Sequence, residues 1–241
     1  MKKCYLILLL SFSCVFIYAQ KFISIDDKAF NWGGKVGFNS TFPIINSLEI
    51  ENVKATDIRV QYKVGYLGAL FCRVNINKFF VQPSVAWRYS EGDIRFNISQ
   101  ETNNSLGVGQ ASPHIPGNQL KYKTATWELP VMIGYYLVKE GPYALSMMVG
   151  PSIKYNYKTR YTTNFSDSPR EYSSDSTPYG INIATGLGVS IWRLFFDFTY
   201  EFGLNHIESD FKEIKTHLPS EGNMTINKRT NVMSFSLGFL F

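Results

Sequence analysis

Over most of the chain, apolar and polar positions alternate. Leu194, Phe196, Phe198, Tyr200 and Phe202 share one parity, and Phe195, Asp197, Thr199, Glu201 and Gly203 share the other. Successive side chains of a strand point to opposite faces, so this stretch predicts a strand with one apolar face and one mostly polar or small. Trp127, Leu129, Val131, Ile133, Tyr135 and Leu137 repeat the pattern, and Tyr143, Leu145, Met147, Val149, Pro151, Ile153 and Tyr155 do so again. Phe79 to Tyr89, Tyr179 to Ile191 and Met233 to Phe241 follow it, and Trp32, Val36 and Phe38 mark a shorter version. Between Tyr62 and Ile76 both faces are apolar until Arg73 and Asn75, so the parity there stays open.

The connections alternate too. Short turns are predicted near Asn75–Lys78, at Lys139–Pro142 and around Trp192–Arg193. Long polar loops are predicted over Thr41–Arg59, Gly92–Lys121, Lys158–Thr177 and Asn205–Arg229. Consecutive strands joined this way make an antiparallel meander. Short turns at one end and long loops at the other are the layout of transmembrane β-barrels. The expectation is therefore an all-β chain folded as an antiparallel up-and-down transmembrane barrel of about eight strands, occupying residues 20–241 as one domain.

A soluble sandwich or lipocalin-like barrel, secreted or periplasmic, is the competing reading. Two features disfavour it. The non-apolar faces are rich in small residues (Gly134, Gly150, Ser152, Gly186, Gly188, Gly238), which suit a narrow lumen better than a water-facing sheet. Aromatics also gather toward the strand ends, at Trp32, Trp87, Tyr89, Trp127, Tyr155, Tyr157, Tyr179 and Trp192, as in the girdles at membrane interfaces. In hydrocarbon every backbone polar group must be paired inside the protein, so a sheet spans only when closed. The C-terminal row Phe235, Leu237, Phe239 and Phe241 resembles the aromatic-ended last strand that barrel-insertion machinery reads as a signal.

Composition narrows the picture further. Of the 241 residues, 45% are hydrophobic, 16% aromatic and only 18% charged, which excludes a disordered chain. A mean hydropathy of −0.10 is too polar for a bundle of membrane helices. Residues 1–19 read as a secretory signal peptide: Met1-Lys2-Lys3 is basic, Cys4 to Tyr18 is largely apolar, and Ile17-Tyr18-Ala19 before Gln20 is a small-residue cleavage site. Its removal lowers the formal charge from +5 to +3 and leaves Cys72 as the one cysteine. That small excess gives no case for a nucleic-acid partner.

Candidate chemistry is sparse. His114, His206 and His217 fall in predicted loops without metal-ligand spacing, so no metal and no cofactor are expected. Ser112 and His114 could sit at an outer rim as in lipid-modifying barrels, but such adjacency is a weak signal, and no catalytic residue is assigned. The isolated charges on the lumen parity are more informative. Lys35, Arg73, Arg88 and Lys154 could pair with Glu128, Asp197 and Glu201, because the interior of an eight-stranded barrel is just filled by side chains and buried charges need partners. The expectation is a plugged barrel, not an open pore.

The segments Val64-Gly65-Tyr66-Leu67-Gly68-Ala69-Leu70-Phe71 and Phe79-Phe80-Val81-Gln82-Pro83-Ser84-Val85 resemble the second and third strands of PorT-like outer-membrane barrels. Glu128-Leu129-Pro130-Val131-Met132-Ile133-Gly134-Tyr135, Gly141-Pro142-Tyr143 and Gly150-Pro151-Ser152 extend the resemblance over essentially the whole mature chain. It implies an eight-stranded barrel in the outer membrane of a Bacteroidetes-type Gram-negative bacterium. The founding member of that group is linked to type IX secretion and gliding. The partners this implies are outer-membrane lipid, the insertion machinery and a secretion or envelope protein. Three functional readings follow: a non-catalytic structural or interaction barrel, a small transport channel, and a rim enzyme acting on lipid.

Overall fold

The computed structural model describes residues 28–50, 53–98, 118–140, 142–165, 168–173, 179–205, 207–213 and 223–241. The expected signal peptide lies outside these residues. The described chain forms β1 (Phe30–Ile50), β2 (Val53–Tyr62), β3 (Val64–Ile76), β4 (Phe79–Ile98), β5 (Asn118–Glu140) and β6 (Tyr143–Phe165). It continues with β7 (Ser168–Ser173), β8 (Tyr179–Ile191), β9 (Leu194–Gly203), β10 (Ile207–Glu213) and β11 (Asn223–Leu240).

Two stacked rings share these strands. In the first, β1, β3, β4, β5, β6, β8, β9 and β11 pair in that order, every pairing antiparallel, and β11 returns to β1 from Gly33↔Leu240 upward. In the second, β2 takes the place of β3 beside β4, while β7 and β10 take the places of β8 and β9 between β6 and β11. The sheet therefore closes as an eight-stranded up-and-down barrel at both levels. Two-residue turns close the short end, with Asn77 at φ 55° and Trp192 at φ 57°. Asn accepts this left-handed conformation readily, whereas at Trp192 it costs about 1–2 kcal/mol.

At the turn end the apolar rows face outward. Val36, Leu70, Val85, Val131, Val149, Leu187, Phe196 and Leu237 are all exposed, from 42% to 69%. The open parity of β3 resolves the same way: Val64, Tyr66 and Leu70 point out, and Leu67, Ala69 and Phe71 point in. Aromatic rings border this band on both sides. Trp87, Trp127, Tyr155, Tyr157 and Tyr179 lie toward the long connections; Trp32, Phe79, Tyr143, Trp192 and Phe241 lie toward the turns. Trp32 and Phe241 stack at 4.3 Å, tying the first strand to the last.

The long polar stretches depart from the sequence reading. Thr41–Arg59, Gly92–Lys121, Lys158–Thr177 and Asn205–Arg229 were expected as loops, and nearly all of the described part of each is strand. In β4 the alternation runs on past Tyr89, but its polarity inverts: Glu91 and Arg95 point out while Ile94 and Phe96 point in. A bulge at Ala125/Thr126, where β5 meets β6, and another at Ile45/Ser47 shift the parity as well. Leu48, Ile94, Phe96, Leu120, Tyr122, Tyr161 and Ile226 then fill the upper ring as an apolar core, with Ile45, Ala55, Ile58 and Val60 packed against it. The lower ring is an inside-out protein; the upper ring is an ordinary one.

Candidate functional site

The lumen of the lower ring holds the charges that the parity places inside, and small neighbours make room for them. At mid-height Arg88 of β4, Glu128 of β5, Lys154 of β6 and Glu201 of β9 form a closed cycle. Arg88 Nη2 donates to Glu201 Oε1 at 2.6 Å and lies 3.0 Å from Glu128 Oε2. Lys154 Nζ lies 2.7 Å from Glu201 Oε2 and 3.4 Å from Glu128 Oε1, the longer approach lacking hydrogen-bond alignment. With its amide oriented to suit both neighbours, Asn182 accepts from Lys154 Nζ at 2.6 Å and donates to the Ile181 carbonyl at 2.9 Å. The cycle carries two positive and two negative charges, so it is neutral. Its side chains are at most 8% exposed and belong to opposite walls of the barrel.

A second pair sits nearer the turns, where Lys35 Nζ of β1 donates to Asp197 Oδ2 of β9 at 2.9 Å. The two reach past β11, whose inward residues there are Ser236 and Gly238. Arg73 joins neither group. No carboxylate lies within ion-pair distance of it among the described residues; instead Nε donates to Gln82 Oε1 at 2.8 Å. Its guanidinium lies 4.5 Å from the centre of the Phe80 ring and under 6 Å from Phe71 and Phe195. Rings supply a favourable face for a cation where no anion is near. Arg73 differs from the network expectation because parity fixes which way a side chain points and says nothing of height within the barrel.

Around Arg73 the lumen is apolar. Phe71 and Phe195 meet edge to face at 5.3 Å, and Phe80 packs on Tyr136 at 5.1 Å. Phe80 faces Gly134 and Phe195 faces Gly238 across the strand pairs. A Cβ at either glycine would collide with the ring that covers it. Large rings over cross-strand glycines fill the lumen without strain, an arrangement that also holds register.

Above the ionic cycle lies a polar layer. Thr41 donates to Ser90 at 2.9 Å, Ser90 to Asn39 at 3.0 Å, and Thr126 to Asn156 at 2.7 Å. This layer borders a cavity of about 50 Å³. Lys228 roofs it, donating to the Tyr161 hydroxyl at 2.7 Å with its ammonium 5.7 Å and 5.3 Å from the Tyr122 and Tyr161 ring centres. Burial pushes the Tyr122 hydroxyl above its ordinary pKa, so it stays neutral there. Sequence reasoning missed Lys228 and Tyr161 because they fell in stretches read as loops, and Tyr122 because it lies between such a stretch and the row that begins at Trp127.

Among the described residues no catalytic arrangement stands out. Ser112, His114, His206 and His217 lie outside the described residues. Among the described residues no group of three or more His, Cys, Asp and Glu could hold a metal ion, and no helix is long and apolar enough to cross a membrane. Cys72 is exposed on the outward face of β3. Phe235, Leu237 and Phe241 stand exposed on the outward row of β11, with Phe239 half-buried between them.

Residues 18–209 match the family described as an outer membrane protein beta-barrel domain. Among solved structures, the outer membrane protein OprG from Pseudomonas aeruginosa shares the fold at a TM-score of 0.50 and 11% identity, covering 89% of this chain and 97% of that one. A major outer membrane protein from Thermus thermophilus gives 0.48 at 9% identity, covering 89% and 100%. Ail of Yersinia pestis gives 0.37 at 10% identity, again covering 89% and 100%. A comparison with curated protein sequences finds no match.

Proposed function

The chain belongs to the outer membrane protein beta-barrel domain family, and from that premise we propose that it is a closed barrel with a structural or interaction role, neither a diffusion pore nor an enzyme. The observation that carries this is the filling of the lumen over its whole height. An apolar floor around Phe80 and Phe195, a neutral ionic cycle at mid-height and an apolar cap around Leu120 and Ile226 follow one another. A conducting path would need a continuous column of water, and the cavity within the polar layer is about 50 Å³, room for only a few waters. Such a rigid cylinder suits an anchor that presents surfaces on either side of the membrane.

The PorT-like resemblance of residues 64–85 and 128–152 supports a finer reading: an accessory of an envelope or secretion apparatus in a Gram-negative bacterium, exported by cleavage after Ala19 and inserted through the aromatic last strand. Lipid of the outer membrane and a secretion or envelope protein would be its partners. Recording from the purified protein in a planar bilayer tests the closed lumen. The expected trace is flat; stable conductance of porin size would replace this reading with the transport one.

A further inference from the structure

A belt of basic side chains rises from the outer wall of β4, β5 and β6 directly above the upper aromatic ring. Arg95, Lys121, Lys123, Lys158 and Arg160 all point outward and are exposed. Across β5–β6 the register sets Lys123 directly opposite Arg160, and across β2–β4 Arg95 opposite Arg59, while across β4–β5 Lys123 faces Glu91 and Lys121 faces Asp93. Like charges facing each other across an antiparallel pair repel and destabilise the sheet. Two of the nearby carboxylates hold cations outside the belt: Asp93 holds Lys63 at 3.1 Å and Asp57 holds Arg59 at 3.2 Å. No carboxylate lies within ion-pair distance of the five belt cations among the described residues.

Height identifies what could relieve this repulsion. Lys123 stands four residues beyond Trp127, and Arg160 three beyond Tyr157, on the same outward rows. At about 3.3 Å per residue and a tilt of roughly 40°, that is about 8–10 Å above the aromatic ring. The headgroup layer is about 5–8 Å deep on each side of the hydrocarbon, and lysine and arginine stems bend back toward it. Phosphate groups of a lipid leaflet lie at that depth, and each has the charge and the acceptor oxygens to bridge two facing cations. We infer that the outer wall of β4–β6 above the aromatic ring is a binding surface for the phosphate groups of anionic lipids in the surrounding leaflet. This surface rests on the membrane placement alone and is independent of whether the lumen conducts.

The test uses the full chain refolded into nanodiscs of phosphatidylcholine with and without phosphatidylglycerol, counting protein-retained lipid by native mass spectrometry. The parent is expected to retain phosphatidylglycerol in preference to phosphatidylcholine. The variant K121Q/K123Q/K158Q/R160Q is expected to lose roughly tenfold or more of that preference, and R229Q, a part-buried cation on β11 away from the belt, less than about twofold. The substitutions remove the facing of Lys123 and Arg160 together with that of Lys121 and Lys123 to Asp93 and Glu91, so the fourfold variant in phosphatidylcholine should melt within a few degrees of the parent, which separates lost binding from lost fold. A parent without preference, or a folded fourfold variant that keeps it, overturns the inference. So does a parent that binds a heparin fragment while ignoring phosphatidylglycerol, since the belt would then serve a soluble polyanion.

Discussion

The two rings of this barrel solve opposite solvent problems with one continuous sheet. Below Tyr89 and Trp127, β4 and β5 turn Val85, Leu129, Val131 and Ile133 outward and enclose Arg88 and Glu128. Above them the same strands turn Glu91, Arg95, Lys121 and Lys123 outward and enclose Ile94, Phe96, Leu120 and Tyr122. Backbone pairing is the same in both rings, so hydrogen bonding cannot explain the difference. What changes is the surrounding medium: hydrocarbon penalises outward charge, water rewards inward hydrocarbon, and each strand inverts where the medium does. On the outward row of β4 the change falls between Tyr89 and Glu91, which locates the membrane boundary on the chain, and the inward row turns apolar at Ile94.

Stripping one member from the lower ring's ionic cycle has the largest expected effect. Glu201→Ala leaves Arg88 and Lys154 facing each other with Glu128 as their only carboxylate. Breaking a buried pair in this way costs about 3–5 kcal/mol, because the remaining charge is left uncompensated. Urea unfolding of the refolded protein in lipid should show that loss. A change below about 1 kcal/mol would mean the lumen is wet enough to solvate the charges, and the closed-barrel reading would fail with it.

A matched pair of substitutions, one in each ring, has effects of intermediate size. Val131→Lys places a charge on the outward row of β5, midway between Trp127 and Tyr135, and Asn227→Lys places the same charge on the outward row of β11 in the upper ring. Lysine at the bilayer midplane costs about 2–4 kcal/mol, whereas on a watered surface it stays within about 0.5 kcal/mol. Equal costs at both sites would mean the band is not immersed in hydrocarbon.

How much of this was legible in the sequence follows from the same inversion. The outward rows of the lower ring were readable because hydrocarbon permits few exceptions to them. Lys35, Arg88, Glu128, Lys154, Asp197 and Glu201 could be assigned to the lumen by parity alone. Which of them meet could not, since contact depends on strand stagger: Arg88 and Glu201 are 113 positions apart, yet share a 2.6 Å bond. The upper ring stayed hidden for two reasons. A search for apolar outward rows ends at Glu91 although the strand does not, and the bulges shift parity, as where Thr159 and Tyr161 become inward after Lys158. Lys228, between Ile226 and Thr230 on the inward row of β11, carries no signal until its neighbours Tyr122 and Tyr161 are in place.

The smallest effect is the same kind of bond placed in water. Arg59 and Asp57 form an ion pair at 3.2 Å, their side chains 75% and 52% exposed, at an irregularity in the pairing of β2 with β4. Coulomb attraction there is screened by solvent and opposed by the entropy of two long side chains, so exposed pairs are worth about 0.2–1 kcal/mol. Asp57→Asn tests this cleanly. Asp57 sits at φ 50°, and asparagine accepts that left-handed conformation as aspartate does, so the backbone is undisturbed and only the charge is removed. The expected loss is at most about 0.5 kcal/mol, fading further in salt, against several for Glu201→Ala. A large, salt-insensitive loss at Asp57 would show that the upper ring is shielded from water on its outside as well, and the contrast between the rings would not survive it.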